Sequence, residues 1–148
     1  MNTIVFGRVI LVKEKEIQYH ANVSITQPED AYRIITENTL IQKEAQEIFG
    51  FLALDAKNKV MAIHEVSRGT ACNAPVHPRE VFKAAILYNS INIIIFHNHP
   101  SGDVQPSGED LNITKRLQEA GDLLGIKVLD HIIIGDRKFI SLKAERLM

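Results

Sequence analysis

Apolar and polar positions alternate loosely from Thr3 to Val12, a Lys-Glu-Lys-Glu break follows, and apolar residues resume from Ile17 to Ile25. The pattern predicts a strand pair, hence a small N-terminal β-hairpin over residues 1–26. Thr26 and Glu29 form a capping-box pattern, and Ala31, Ile34 and Ile35 then recur at helical spacing, so a helix is expected to start there and break near Asn38 or Thr39. A short helical stretch from Ile41 to Glu47 should run into a buried strand carrying Phe51, Leu52 and Leu54. The turn from Ala56 to Lys59 then leads to an antiparallel partner over Val60 to Val66.

Further along, Pro78 sits at a first helical turn, with Val81, Phe82, Ala85 and Ile86 forming an apolar face as far as about Asn89. The run from Ile91 to Phe96 is of the kind buried on both faces at the centre of a sheet, and His97 stands at its end. Turn formers dominate from His97 to Asp110. Leu111, Thr114, Leu117 and Leu124 mark another helix, closing at Gly121 or Gly125. A strand from Val128 to Ile134, a Gly-Asp-Arg turn and a short strand from Phe139 to Leu142 complete one α/β domain with no internal repeat or linker.

Composition narrows the possible chemistry. At 148 residues, 45% hydrophobic and 24% charged, the chain fits a single globular domain and excludes disordered, collagen-like and disulfide-scaffold classes. A net charge of -1 gives no global field for nucleic acid or an anionic membrane. Any nucleic-acid contact would be local, at Arg137, Lys138, Lys143 and Arg146, a cluster that usually marks a solvated face. Cys72 is the sole cysteine, so an intramolecular disulfide and a thiolate cluster are both excluded, and a reducing, cytoplasmic setting is expected. No apolar run approaches a membrane span of about 20 residues, and the N-terminus lacks the apolar core of a signal peptide, so neither membrane insertion nor export is expected.

Metal binding must then use histidine and carboxylate. His97 and His99 leave the end of a buried strand one residue apart and can turn toward one point, and imidazole is a common zinc ligand. Asp110 falls in the first turn of the next helix, where the helix dipole favours its ionised form. Two neutral nitrogens and one carboxylate leave a tetrahedral zinc with an open position, the arrangement of a catalytic site. Ser107, at the helix entrance, is a candidate oxyanion donor, though Ser-x-x-Asp is also close to a capping box. Glu47 is a candidate proton shuttle, but spacing leaves Glu44 and Glu65 equally available. Asn98 reads as a turn former, and His77 and His131 as hydrogen-bonded structural histidines. His64-Glu65 begins a His-Glu-x-x-His zinc motif, but Arg68 occupies the last position.

The string HNHPSGDVQPSGED contains His-x-His-Pro followed by Ser-x-x-Asp, which resembles the metal-binding signature of the JAB/MPN (JAMM) metalloproteases. The longer match is to the RadC family. HNHPSG, HPRE at His77 to Glu80, Gly69-Thr70 and the downstream LDHIIIG look alike and fall in the same order, over residues 27 to 146. That resemblance implies an α/β, JAB/MPN-like (cytidine-deaminase-like) three-layer domain over residues 27–148, with a curved mixed β-sheet between helices. It implies a zinc ion on His97, His99 and Asp110, Ser107 helping to stabilise an oxyanion, and Glu47 as general acid/base, since EIFGFL looks like the family's Glu-x-x-Gly-x-Leu element. The activity implied is peptide or isopeptide hydrolysis on a peptide or protein substrate. The alternative is a nucleic-acid-associated factor with a structural or vestigial metal site, in line with the DNA-repair label of the RadC family. RadC-like proteins typically carry an N-terminal helix-hairpin-helix region, and the strand character of the first 26 residues here weakens the expectation of DNA contact.

Overall fold

The computed structural model describes residues 1–19, 22–69 and 76–148. In chain order the elements are α1 (Pro28–Asn38), a 3-10 turn at Ile41–Lys43, β1 (Glu47–Leu54), β2 (Val60–Gly69), α2 (Pro78–Leu87), β3 (Asn92–Asn98), α3 (Gly108–Leu124), β4 (Lys127–Ile134) and β5 (Phe139–Ser141). The strands make one mixed sheet in the order β2-β1-β3-β4-β5. β1 runs antiparallel to both β2 and β3, β3 and β4 are parallel, and β5 returns antiparallel on β4. A parallel pair requires a crossover, and α3 supplies it.

Alternation along the central strands divides the core into two layers. Phe49, Phe51, Ile93 and Ile95 point to one side and pack with Val81, Phe82 and Ala85 of α2 and Leu117 of α3. Leu52, Leu54, Ile94, Phe96, Ile132 and Ile134 point to the other and meet Ala31, Ile34 and Ile35 of α1. The sheet is thus sandwiched between helices, the three-layer α/β arrangement expected. Each such buried Phe, Ile or Leu contributes roughly 1.5–3 kcal/mol, which is why β1 and β3 read as near-continuous apolar runs.

Three sequence expectations are corrected. The expected N-terminal hairpin over residues 1–26 is not seen among the described residues. Among the described residues, 1–19 carry no strand, and Ile4, Phe6 and Val9 are exposed. The pairing that does form there is a single antiparallel bridge between Ser24 and Lys59. An isolated two-stranded hairpin is marginal in water without a third strand or a helix to cover it. The stretch from Ile41 to Glu47 is helical only as the short 3-10 turn, and Glu47 opens β1 instead. Asn98 accounts for this: its Oδ1 accepts from Ile48 N at 2.6 Å and its Nδ2 donates to Gln46 O at 3.0 Å, drawing the backbone into the sheet. α1 also starts later than Thr26-Glu29 suggested. Asp30 is the capping carboxylate, accepting from Thr26 N, Thr26 Oγ1 and Gln27 N at 2.9, 2.9 and 3.1 Å.

Candidate metal centre

Strand period and register bring the site together. His97 shares the face of Ile93 and Ile95, so its side chain turns toward the α2/α3 layer. Phe49 pairs with His97 across β1 and β3, and its ring stacks on the imidazole at 6.0 Å between centroids. Glu47, two residues before Phe49, projects from the same face at the start of β1. His99 lies just past β3. Its N–H donates to Ile134 O and its carbonyl accepts from Gly102 N, both at 2.9 Å, so the chain turns sharply there. Gly102 has φ +86°, and a Cβ on Gly135 would come within 2.3 Å of Gly102 O, so this loop needs glycine on both sides of its close approach.

The third element is the start of α3. Ser107 is its N-cap: Ser107 Oγ accepts from Asp110 N at 3.0 Å, and Asp110 Oδ2 accepts from Ser107 N at 2.8 Å. This reciprocal capping box fixes the Asp110 carboxylate at the helix entrance. The Ser107 hydroxyl acts as an acceptor in the cap, which leaves its O–H as a donor.

Ligand atoms of Glu47, His97, His99 and Asp110 all lie within 4.8 Å of one another. His97 Nε2 stands 2.9 Å from His99 Nε2, and the two nitrogens stand 3.2 Å from Asp110 Oδ1 and Oδ2 respectively. Atoms bound to one zinc at about 2.0–2.1 Å in a tetrahedron stand about 3.3 Å apart, so the two histidines and Asp110 match the edges of such a polyhedron. Glu47 Oε1 is further out, 3.7 Å from His97 Nε2, on a side chain 45% exposed, whereas that of His97 is 2% exposed.

Charge and hydrogen bonding point the donors inward. His99 Nδ1 lies 2.7 Å from Asp103 O, and since a carbonyl only accepts, Nδ1 carries the proton and Nε2 faces the cluster. Burial opposes ionisation of Asp110, but its contacts with the His97 and His99 imidazoles and the Ser107 N–H outweigh it and hold the carboxyl well below the usual range. The hydrogen bond with Asp110 raises the His99 pKa above its ordinary value, against burial.

The remaining sequence candidates are found elsewhere or in other roles. Glu44 and Glu65 both pair with Arg68, at 2.9 and 2.7 Å, whereas Glu47 lies in the group with His97, His99 and Asp110. His64 lies on β2, a strand, and its Nδ1 meets Tyr88 Oη at 3.0 Å. Asn98 is no turn former but the last residue of β3, clamping the start of β1. His77 is exposed at the N-cap of α2 and makes no side-chain cap bond there. Thr70 and Cys72 lie outside the described residues. His131 is indeed a hydrogen-bonded core histidine, but its partner escaped sequence reasoning. Fully buried on β4, it meets His97 Nδ1 through Nε2 at 2.7 Å and Thr114 Oγ1 through Nδ1 at 2.6 Å. The parallel register of β3 and β4 brings the two histidines together, and no local pattern in the sequence carries it.

Comparison with known proteins agrees with this geometry. The RadC-like JAB domain profile matches residues 25–147. A UPF0758 protein of Caldanaerobacter subterraneus is 52% identical over 122 residues, covering 82% of this chain and 52% of that protein. One from Clostridium perfringens is 42% identical over 138 residues, covering 93% of this chain and 60% of its own length. A third, from Staphylococcus haemolyticus, is 49% identical over 127 residues, or 86% of this chain and 55% of its own length. The chain thus spans little more than half the length of these relatives. With the profile covering nearly the whole chain, and with two histidines, an aspartate and a glutamate converging where the motif lies, the chain belongs to the RadC-like JAB domain family.

Proposed function

We propose that this chain is a zinc-dependent hydrolase of peptide or isopeptide bonds. The observation that carries the reading is the convergence of two imidazole nitrogens and an ionised carboxylate on one point, with a second carboxylate at its open side. Two imidazoles and one carboxylate suit zinc, and three protein ligands leave a position for a reactant. When bound, zinc supplies Lewis acidity to a carbonyl and to water, whose pKa it can bring to about 7.

The chain's own residues supply the rest. Glu47, half-exposed beside His97, takes a proton from the attacking water and returns it to the leaving amine. Ser107, whose oxygen is polarised by the Asp110 N–H, offers its O–H to the carbonyl oxygen as charge develops there. Phe49 walls one side of His97 and keeps that side dry. Membership of a JAB-domain family supports the same reading.

Glu47→Gln should keep stoichiometric zinc and lose about 10²–10⁴-fold in hydrolysis of a peptide or isopeptide substrate. Metal analysis paired with a turnover assay checks this, and undiminished turnover would remove Glu47 from the mechanism. The nucleic-acid alternative rests on Arg137, Lys138, Lys143 and Arg146, all exposed, with Asp136 and Glu145 interspersed. A salt-dependent DNA titration decides it, because phosphate contacts would make affinity fall steeply with ionic strength.

A further inference from the structure

Behind His97 runs a buried chain of hydrogen bonds that the mechanism above does not use. Thr114 Oγ1 lies 2.6 Å from Asp110 O, His131 Nδ1 2.6 Å from Thr114 Oγ1, and His97 Nδ1 2.7 Å from His131 Nε2. The carbonyl at one end sets the direction. It can only accept, so the single hydroxyl proton of Thr114 lies on that contact. Thr114 then has only lone pairs for His131, whose Nδ1 must carry the ring proton. The Nε2 of a neutral His131 is left as an acceptor, so His97 donates to it from Nδ1. His97 Nε2 is thereby bare and faces His99 and Asp110. Period two separates this chain from the neighbouring carboxylate: Asp130 faces the opposite side of β4 and accepts from Ser141 Oγ, Lys143 N and His131 N at 2.6, 3.1 and 2.7 Å.

We infer that Thr114 and His131 are positioning residues that fix His97 in the Nδ1-protonated tautomer, aiming its Nε2 lone pair into the metal centre. The inference rests on the metal-site reading above. It differs from the anchoring of His99, whose Nδ1 proton goes to the Asp103 carbonyl. Ligand histidines usually donate to a carboxylate, carbonyl or water, and a carboxylate raises ligand basicity. An imidazole partner orients His97 without adding negative charge behind it. The direction is set from Asp110 O, the backbone of the residue whose side chain is itself in the cluster, so orientation of one donor depends on placement of another.

The test combines ¹⁵N NMR of the histidine rings in the metal-free chain with zinc titrations of wild type, Thr114→Val, Thr114→Ser and His131→Phe. Expected are an Nδ1–H tautomer for His97 in wild type, about 10–100-fold weaker zinc binding in Thr114→Val and His131→Phe, and near-wild-type binding in Thr114→Ser. An Nε2–H tautomer for His97 in the wild type overturns the inference, as does wild-type zinc affinity in a folded Thr114→Val. Should the valine or phenylalanine variant fail to fold, the wild-type NMR measurement decides alone. If wild type shows the Nδ1–H tautomer but binds no zinc, the metal reading fails while the hydrogen-bond relay stands.

Discussion

Asp110 is 9% exposed, and such a site would normally hold a neutral carboxyl. It stays ionised because two imidazoles and a capping N–H face it, the same features that suit it to a cation. His99 has its pKa raised by Asp110, and its Nε2 must be bare to bind metal, so protons and zinc compete for that atom. Zinc affinity should fall about tenfold per pH unit once pH drops below the raised His99 value. Competition titrations between pH 6 and 8 measure the slope, and a flat profile would show that His99 is not displaced from a proton. Glu47 was visible in the sequence, but spacing could not separate it from Glu44 and Glu65, since only the antiparallel register of Phe49 with His97 puts it beside the histidines.

At the scale of elements, what the sequence disclosed depended on whether an element carries its own signal. β1, β3, β4, α2 and α3 do, through apolar runs, helical spacing, Pro78 at a helix start and Gly125 at a helix end in the left-handed conformation. The stretch from Ile41 to Glu47 misleads because its residues are good helix formers, while Asn98, about 50 positions away, supplies hydrogen bonds that favour the strand. The His97 relay was hidden for the same reason: its partners are adjacent only after β3 and β4 align. Gly135→Ala would drive a Cβ into Gly102 O and push the turn that carries His99. A loss of about 1–3 kcal/mol, together with weakened zinc binding, is expected from denaturation and titration of the same variant. Unchanged zinc affinity would show that the loop does not set the position of His99.

For the whole molecule, the three-layer core is largely independent of the first 19 residues, which contribute Tyr19 to the α1 layer but no strand. Its pH response should be set by buried histidines. Burial, reinforced by the field of His97, drives the His131 pKa well below its ordinary value, and burial lowers that of His64. In the unfolded chain these rings take up protons near pH 6.5, whereas in the folded chain they resist. Stability of the metal-free protein is therefore complete above that pH and declines as pH falls toward 5, with a slope of up to about 1.4 kcal/mol per pH unit for each ring kept neutral. His99 has the opposite sign, its contribution being present below pH about 6.5 and lost as pH rises through its raised folded value. Denaturant melts of a His99→Ala chain at pH 7 and pH 5 isolate the two buried rings, and equal stability at both would refute their contribution.

The proposed function depends on one cation held between the end of β3, the turn after it and the start of α3. The direct measurement is a zinc titration of the chain alongside His99→Ala and Asp110→Ala, with stoichiometry read by metal analysis after dialysis. One zinc per wild-type chain and none retained by either folded variant is the predicted result. Wild-type stoichiometry in both variants would contradict the account.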